Sequence, residues 1–451
     1  MKRILPISFI IIATLVISLF FFTFDSKKRI KIYVGMSAPI NAESGYLGKS
    51  MKDGINMYFH RINNSRDEKW DIELIDMDDS YNPLKAAENM RKMIKNDDII
   101  AIIGNVGTPT AAVTVPIANQ EKILLFGAFT GANLLRNKSA GKYVINYRAS
   151  YAQETRSIIE VLTQENIRPH QIAFFTQNDT YGDSGYNGAL NALAEIESKK
   201  DGNKQKIEYY KKKMRRETAH GRYTRNTQNV EFGYSQILRK IRRRNSNKNK
   251  NPDIKAFILV GTYAPCAEFI KLAKKKFADA YFFNVSFVGS EKLKDYLGEK
   301  FYHNVMITQV VPHPVRFRLT KYQTETVETI VDEYFEDLNN YQQQVRNRVL
   351  VGNYVSLEGY IIAKTFVMAL NAAPSTPNRE NIIKSFNKIN IEELGIKRIN
   401  RIDKNNKQIS SRIWFTELAK NRDEISVLPI HEKLKTNNIF KNAILNRGRI
   451  Y

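Results

Sequence analysis

Residues 99–127 read IIAIIGNVGTPTAAVTVPIANQEKILLFG, in which two apolar runs flank a longer stretch of mixed character. The runs IIAIIG (99–104) and ILLFG (123–127) are short and nearly continuous, as expected of strands that are covered on both faces. The residues after Thr108 are long enough for a helix. A strand, a helix and a second strand in this order form a βαβ unit, so the stretch predicts a parallel sheet.

The same alternation extends along the chain in both directions. Upstream, predicted strands at 30–35 and 71–77 are each followed by an amphipathic helix, the second of which begins at the N-cap pair Asn82-Pro83. Downstream the series restarts, with predicted strands at 143–147, 171–176, 254–261 and 282–289 and helices between them. The sequence therefore predicts an α/β fold of two Rossmann-like lobes with parallel sheets, joined by several crossings.

The lobes are assembled from separate parts of the chain. The run at 305–311 and the turn Pro312-His313-Pro314 predict a crossing, followed by long helices near 320–338 and 354–370. We expect lobe 1 to comprise residues 30–147 and 312–410, and lobe 2 residues 148–311 and 411–429. Residues 1–29 are expected to form an N-terminal segment, and residues 430–451 a C-terminal tail.

The chain has 451 residues and a formal net charge of +24, which invites a nucleic-acid or anionic-membrane function. More than half of this charge is local, because residues 199–255 contain 19 Lys and Arg residues against 5 Asp and Glu residues. We interpret this segment as a basic insertion that interrupts lobe 2. Nucleic-acid binding is consequently disfavoured as the main function.

Residues 4–24 carry no charge and are long enough, at ~1.5 Å per residue, to cross a bilayer core of roughly 30 Å. The run lacks a small-x-small cleavage site, which favours an uncleaved signal anchor or transmembrane helix over a cleaved signal peptide. Cys266 is the only cysteine, so a lipoprotein anchor is excluded. The expected location is the inner membrane, with the lobes facing the periplasm or cell exterior.

Motifs for catalysis or metal binding are incomplete. Gly48-Lys49-Ser50 resembles the end of a phosphate-binding loop, but Glu43 stands where its first glycine should be. The six histidines are scattered, and no Gly-x-Ser-x-Gly elbow is present. We therefore expect a protein that is not an enzyme and that has no metal and no cofactor.

Small polar residues follow two of the predicted strands. Thr108 and Thr110 follow the first strand quoted above, and Thr130 and Gly131 follow the second. In an open α/β sheet ligands bind outside these carboxyl ends, where helix N-termini offer free N–H groups to an anion. The residues could hold a carboxylate, or the threonines could simply cap a helix.

Five segments carry a resemblance to a known family. They are VGMSAPINAESGYLGKSMKDGINMYF, IDMDDSYNPLKAAENMRKMI, the stretch from IIGNVGTPT to GANLL, QNDTYGDSGYNGAL and VGTYAPCAEFIKLAKK. In this order they resemble the type I periplasmic binding proteins, the leucine/isoleucine/valine-binding group of ABC transporters and their receptor relatives, over residues from about 30 to 428. The resemblance implies two lobes, joined by three crossings, that close on a small ligand.

Position by position, the resemblance also implies a ligand site. Thr108 matches the residue that binds the ligand carboxylate, and Phe129, Thr130 and Gly131 match a second contact segment. Tyr181 and Tyr263 match aromatic walls, and Glu291 matches the carboxylate that pairs with an α-ammonium; the alternative for Glu291 is an exposed first-turn helix residue. The candidate ligand-binding residues are Ser44, Thr108, Thr110, Phe129, Thr130, Gly131, Tyr181, Tyr263 and Glu291. Phe129 and Gly131 depart from the usual residues of amino-acid binders, which bears on ligand identity.

The resulting hypothesis is an extracytoplasmic solute-binding protein of an ABC-type uptake system. Its expected ligand is an amino acid, branched-chain-like, or a similar small polar molecule, and its expected partner is an ABC permease. One alternative is a membrane-tethered sensor that passes lobe closure to a signalling partner. The other is binding of an anionic polymer or nucleic acid through residues 199–255.

Overall fold

The computed structural model describes residues 29–137, 140–245, 254–314, 329–345, 348–374, 376–403, 406–418 and 427–429. The expected anchor at 4–24 and the tail at 430–451 lie outside these residues. Within the described ranges, we find no helix with the length and apolar character that a membrane span requires.

The first lobe is built on a five-stranded sheet with the order β2-β1-β3-β4-β5, and all neighbouring strands are parallel. The strands are β1 (Ile30–Ala38), β2 (Trp70–Asp78), β3 (Ile99–Ile103), β4 (Leu124–Phe126) and β5 (Val144–Ile145). The intervening helices are α1 (Gly45–Asn64), α2 (Pro83–Ile94) and α3 (Thr108–Gln120). The predicted N-cap is present, because Asn82 Oδ1 accepts a hydrogen bond from the Leu84 amide at 2.8 Å.

The second lobe is built on a seven-stranded sheet with the order β12-β11-β10-β9-β8-β6-β7. Its first five strands in the chain are parallel: β6 (Ile172–Gln177), β7 (Ala219–Tyr223), β8 (Ala256–Val260), β9 (Tyr281–Asn284) and β10 (Val305–Gln309). The last two, β11 (Trp414–Leu418) and β12 (Val427–Pro429), are antiparallel. The prediction of parallel sheets holds for the other strands of this lobe, but at this edge the returning chain adds two antiparallel strands.

Six helices of the described chain belong to the second lobe. They are α4 (Tyr151–Gln164), α5 (Thr180–Lys200), α6 (Ile207–Glu217), α7 (Glu231–Asn245), α8 (Tyr263–Lys274) and α9 (Ser290–Leu297). Ser150 begins α4 with a capping box, since its hydroxyl accepts from the Gln153 amide at 3.1 Å and its own amide donates to the Gln153 side chain at 2.8 Å. This cap fixes the direction in which the chain enters the second lobe.

The segment at 199–255 does not interrupt the second lobe. It supplies α6, the edge strand β7 and α7, and β7 pairs in parallel with β6 from Ala173↔Ala219 to Gln177↔Tyr223. The strand reads AHGRY, with alternate residues buried, so it has no continuous apolar run by which a strand could be recognised. The expected insertion is a βα unit of the lobe itself.

The chain then returns to the first lobe with α10 (Thr329–Gln342), α11 (Tyr354–Asn371) and α12 (Ile382–Ser385). Helix α11 packs directly on α1, where a Cβ atom added to Gly54 would lie 1.8 Å from the Ser356 carbonyl oxygen. One buried apolar cluster contains residues of both lobes. A second cluster lies between α4, α5 and the second sheet.

Three connections join the lobes: one follows β5, one follows β10 and one precedes β11. The first and third run side by side, because the Asn146 amide donates to the Lys407 carbonyl at 2.8 Å and the Ser410 amide donates to the Tyr147 carbonyl at 2.7 Å. The carboxyl ends of the parallel strands of both sheets face the space beside these connections, where the candidate site lies.

Candidate functional site

Two buried threonines lie at the carboxyl ends of neighbouring strands in the first lobe. Thr108 is the first residue of α3 after β3, and Thr130 follows β4. Their Oγ1 atoms are 2.7 Å apart, and both residues are fully buried. The N-terminus of α3 lies beside this pair and carries a partial positive charge and free amide groups. Hydroxyls and amides together form a donor group suited to a carboxylate.

Thr110, the other threonine predicted here, is used differently. Its hydroxyl donates to the carbonyl oxygens of Val106 at 2.7 Å and Gly107 at 3.0 Å, so it satisfies the backbone of its own turn. Gly107 occupies the N-cap position with φ 110°. The Thr108 side chain pairs with Thr130 rather than with a helix amide. Simple capping therefore does not account for the Thr108 hydroxyl.

Aromatic rings from both lobes pack next to the threonine pair. Phe129 of the first lobe lies 5.2 Å from Phe287 of the second, measured between ring centroids. Tyr181 lies 4.8 Å from Phe287 and 5.1 Å from Tyr151. The Tyr181 hydroxyl donates to the Gly261 carbonyl at 3.2 Å, so its ring, and not its hydroxyl, is presented to the other rings. The two lobes are in direct contact here.

Gly131 brings the start of α4 against this group. Its carbonyl accepts a hydrogen bond from the Tyr151 amide at 2.7 Å, and a Cβ atom at position 131 would lie 2.6 Å from that amide nitrogen. This backbone nitrogen cannot move aside as the end of a flexible side chain can. A hydroxyl-bearing residue is therefore sterically excluded at this position unless α4 shifts.

A buried cation, Arg148, lies between the lobes. Its guanidinium lies 4.3 Å from the centroid of the Phe129 ring, and its Nη2 donates to Ser286 Oγ at 2.5 Å. Its Nε lies 3.3 Å from Oε1 of Glu358 on α11. On the far side, Ser286 donates from its amide and hydroxyl to Glu154 at 2.7 and 3.0 Å. Arg148 thus connects groups of both lobes.

The carboxylates around Arg148 share a common electrostatic environment. Burial raises the pKa of Glu358 above its usual range; Arg148 opposes this and Glu154 adds to it. Burial also raises the pKa of Glu154, although Arg148 and hydrogen bonds from Thr308 and Ser286 favour its charged form. The cluster is costly to bury, because one arginine faces two carboxylates; Arg136 nearby also favours the charged form of Glu358.

A second group of residues lies around the N-terminus of α1. Glu291, in the first turn of α9, accepts hydrogen bonds from the Tyr46 hydroxyl and the Tyr354 amide, both at 3.2 Å. The Tyr263 hydroxyl donates to the Glu43 carbonyl, and its ring meets Tyr46 edge-on at 6.1 Å. These contacts also join the two lobes. Burial raises the pKa of Glu291.

Glu291 is therefore a first-turn helix residue, as its alternative interpretation has it, but it is half-buried with two hydrogen bonds. Ser44 precedes α1 and is 4% exposed, and its hydroxyl has no hydrogen-bond partner among the described residues. Gly289, with φ 77°, turns the chain between Phe287 and Glu291. The segment from 286 to 291 thus connects the aromatic group to the second group.

The candidate residues fall into these two groups. Thr108, Phe129, Thr130, Gly131 and Tyr181 meet at the aromatic contact, whereas Ser44, Tyr263 and Glu291 lie around α1. Thr110 faces its own backbone. In the described part of the chain, no hydrogen bond or ion pair joins Glu291 to Thr108. Thr108, which is predicted to bind the ligand carboxylate, therefore lies in a different group from Glu291, which is predicted to bind the ligand ammonium.

Sequence reasoning missed several residues of the site: Arg148, Tyr151, Ser286, Phe287 and Glu358. One signal was available, since Arg148 stands between an apolar strand and the N-cap Ser150, an unusual place for a charge. Phe287 was hidden because 282–289 was predicted as one strand, whereas β9 ends at Asn284 and a 3₁₀ turn covers Ser286–Val288. Glu358 gives no local signal, because only the fold brings it to Arg148.

The described residues offer no group of side chains suited to a metal ion. In the described ranges, no three His, Cys, Asp or Glu side chains are grouped as a metal site would require. Cys266 is buried, and burial raises the pKa of its thiol. The thiol is therefore protonated and poorly suited to act as a nucleophile.

Comparisons with known proteins agree with this architecture. A sequence model of the family described as periplasmic binding protein matches residues 31–207. No curated protein sequence matches the chain. Among solved structures, one described as a possible leucine/isoleucine/valine-binding protein from Rhodopirellula baltica is 32% identical, with a TM-score of 0.75, covering 92% of this chain and 100% of that one.

More distant structures share the fold. A branched-chain amino acid ABC transporter protein from Thermus thermophilus, solved with bound valine, is 12% identical, with a TM-score of 0.66 and coverage of 93% of this chain and 100% of that one. A fatty acid ABC transporter substrate-binding protein from Thermomonospora curvata is 14% identical, with a TM-score of 0.63 and coverage of 92% and 94%. Two α/β lobes with the chain passing three times between them, together with the 32% identity over a whole solved chain, lead to one conclusion. The chain belongs to the family of type I periplasmic binding proteins.

Proposed function

We propose that this protein is an extracytoplasmic solute-binding protein that closes its two lobes around an amino acid with an apolar side chain. The observation that carries the proposal is the Thr108–Thr130 hydroxyl pair, 2.7 Å apart at the N-terminus of α3 and next to rings of both lobes. Such a group offers several donors and no carboxylate of its own. It matches the needs of a ligand carboxylate.

The aromatic group defines the proposed chemistry of the ligand side chain. Phe129, Tyr151, Tyr181 and Phe287 present ring faces and edges, which favour apolar or aromatic side chains over charged ones. The Thermus thermophilus relative, solved with bound valine, supports a branched-chain ligand. The bulk of Phe129 and the absence of a side chain at Gly131 adjust the shape of this part of the site.

Glu291 is the proposed partner of the ligand ammonium. Its carboxylate is half-buried beside Tyr46 and Tyr354, and it lies on the same short segment as Phe287. Partial burial makes the charge of this carboxylate costly, and a ligand ammonium beside it would stabilise that charge. Ser44 and Tyr263 are proposed to form the rim of this end. Because the carboxylate and ammonium of an α-amino acid share one carbon, the proposal requires Thr108 and Glu291 to contact neighbouring atoms of the bound ligand.

Ligand binding can be tested on the full-length chain in non-ionic detergent. We expect one or a few amino acids to raise its thermal stability, by about 2.7 kcal/mol at a hundred times the dissociation constant. Thr108→Val should weaken the best ligand about tenfold or more, because a charge-assisted hydrogen bond is lost. The control is Thr365→Val, which removes a buried hydroxyl that donates to the Ile361 carbonyl at 2.8 Å within α11, away from the candidate site.

A ligand analogue without an ammonium group distinguishes the role of Glu291 from that of Thr108. Glu291→Gln should weaken the binding of the amino acid by about 2 to 5 kcal/mol. The affinity for the matching 2-hydroxy acid should be nearly unchanged, because that analogue has no ammonium group. Thr108→Val should weaken both. A screen of the common amino acids and small carboxylates that gives no stabilisation would contradict the proposed ligand class.

The proposed partner is an ABC-type permease, with residues 4–24 as a membrane tether on the outer side. Cross-linking of the full-length chain in its native membrane should capture a permease subunit, and more of it when the amino acid is present. Capture of a signalling protein in its place would favour the sensor alternative.

A further inference from the structure

A groove of about 740 Å³ lies on the second lobe, where α5, α6, β7 and α7 meet. Its lining contains five cationic side chains, called here the basic groove: Arg215, Arg222, Arg239, Lys240 and Arg243. The same lining contains a single carboxylate, that of Asp183. The groove is formed by the βα unit that accounts for most of the protein's excess positive charge, and the ligand site described above does not include it.

The backbone holds the walls of the groove close together. A Cβ atom added to Gly221 on β7 would lie 1.9 Å from the Gly233 carbonyl oxygen on α7, so the helix sits directly on the strand. The Gln236 side chain strengthens this contact by accepting a hydrogen bond from the Arg222 amide at 2.9 Å. On α7, Arg239 and Arg243 are four residues apart and therefore share one face. Packing places the cations of α7 opposite those of α6 and β7.

Positive charge in the groove is poorly compensated. Asp183 is already engaged, because Arg222 Nη2 lies 2.7 Å from its Oδ1. In the part of the chain that the structure describes, Arg239 and Lys240 form no ion pair. Burial, Arg244 and Arg243 lower the pKa of Lys240, which reflects crowding of like charges. Arginines of an ordinary solvated helix face diverge, whereas these converge on one concave volume.

The floor of the groove is neutral. The His220 ring lies 3.9 Å from the Tyr186 ring, between centroids, and its Nε2 is 2.8 Å from Thr176 Oγ1. Burial and the nearby Arg222 and Arg215 lower the pKa of His220 to about 3. The ring is therefore uncharged at neutral pH. Cations on the walls and a flat aromatic floor form a cup of the size of a small-molecule site.

We propose that the basic groove binds an anion that carries several phosphate groups. Guanidinium groups pair with phosphate oxygens in a planar, bidentate manner, and more than one phosphate is needed to balance the cations of the walls. The site is separate from the amino-acid site, so this proposal stands whether or not the proposed function is correct. Free polyphosphates and lipid headgroups with two or more phosphates both supply the required chemistry.

The test uses the full-length chain in non-ionic detergent and inorganic triphosphate as the probe. Calorimetric titration at about 0.1 M salt, where exposed distant charges are largely screened, should show saturable binding to one site per chain. The variant Arg215→Gln/Arg239→Gln/Lys240→Gln should weaken triphosphate at least tenfold. The matched control, Arg91→Gln/Lys92→Gln/Lys95→Gln, removes the same charge from the end of α2 and should change the affinity less than twofold.

Two further measurements support the interpretation. If the triple variant misfolds, the single variant Arg239→Gln, at an exposed position, must give a smaller loss of triphosphate affinity. Adding cardiolipin, whose headgroup carries two phosphates, to the micelles identifies the source: competition with triphosphate assigns a lipid headgroup, and no competition assigns a soluble polyphosphate. The proposal is overturned if the wild-type chain does not bind triphosphate, or if both triple variants weaken it equally.

Discussion

Nε of Arg148 lies 3.3 Å from Oε1 of Glu358, and the two side chains are only 1% and 2% exposed. Arg148 belongs to the first connection between the lobes, Glu358 to α11 of the first lobe, and Ser286, which accepts a hydrogen bond from Arg148, to the second lobe. One buried cation therefore takes part in the contacts of both lobes at the base of the site.

Replacing Glu358 by Gln removes the carboxylate that faces Arg148, and its effect on stability should depend on pH. Burial raises the pKa of Glu358 to about 7, so the folded state holds a proton that the unfolded chain releases between about pH 4 and 5. The wild-type chain should therefore lose stability relative to Glu358→Gln as the pH rises from about 5 to 7, by up to ~1.4 kcal/mol per pH unit. Urea unfolding at pH 5 and pH 8 measures this difference.

A surface carboxylate provides the control for this measurement. Glu268 pairs with Lys271 at 2.8 Å with 40% of its side chain exposed, and Glu268→Gln should cost less than about 1 kcal/mol at either pH. If the difference in stability between Glu358→Gln and the wild type is the same at both pH values, the raised pKa of Glu358 is contradicted.

Asp79 should make stability depend on pH in a defined direction. It is fully buried, and burial raises its pKa to about 7 although Ser37 and the Tyr81 amide donate hydrogen bonds to it. The folded state thus holds a proton that the unfolded chain releases near pH 4. This group therefore lowers the free energy of unfolding as the pH rises from about 4 to 7, by up to ~1.4 kcal/mol per pH unit.

Comparison of the wild-type chain with Asp79→Asn isolates this contribution. The wild type should lose stability relative to the variant between pH 5 and pH 7 in urea unfolding. Asp97→Asn is the control, because its side chain is 99% exposed and its curve should run parallel to that of the wild type. Parallel curves for Asp79→Asn as well would contradict the raised pKa.

Gly54→Ala should destabilise the first lobe by more than a usual core substitution. The added methyl group would lie 1.8 Å from the Ser356 carbonyl oxygen, so α1 and α11 would have to separate. Overpacking of this kind costs about 1 to 3 kcal/mol or more, which outweighs the better helix propensity of alanine. Asn56→Ala, elsewhere on α1, should change the free energy by no more than about 0.5 kcal/mol; equal effects would refute the close packing.

Tyr46→Phe should favour separation of the lobes. It removes the hydrogen bond to Glu291 across the lobe contact, worth about 1 to 2 kcal/mol, and so should lower ligand affinity roughly 5- to 30-fold. Small-angle scattering should show a larger radius of gyration below saturation. Tyr58→Phe, whose ring packs on Tyr360 within the first lobe at 5.0 Å, should leave both quantities unchanged.

The sequence predicted the sheets best where burial leaves a local pattern. The run containing β3 is buried at every residue, and its apolar letters alone identify the strand. The edge strand β7 was missed because only alternate residues are buried, and the basic residues around it suggested a solvated insertion. A pattern of composition thus concealed a regular element of the fold.

The site was predictable where it depends on strand ends. Thr108 and Thr130 follow apolar runs, and parallel topology brings those ends together. Arg148, Phe287 and Glu358 come from three different parts of the chain, and their meeting depends on how the lobes pack. No spacing in the sequence encodes that contact, so the charge at the base of the site emerged only from the structure.

The paired connections between the lobes restrict how the protein can move. Because the segments at 146–147 and 407–410 are hydrogen-bonded to each other, the two connections bend together. In the proposed closing motion they act as one double-stranded hinge element. The free energy of bending this pair is then a common term in the affinity for every ligand on which the lobes close.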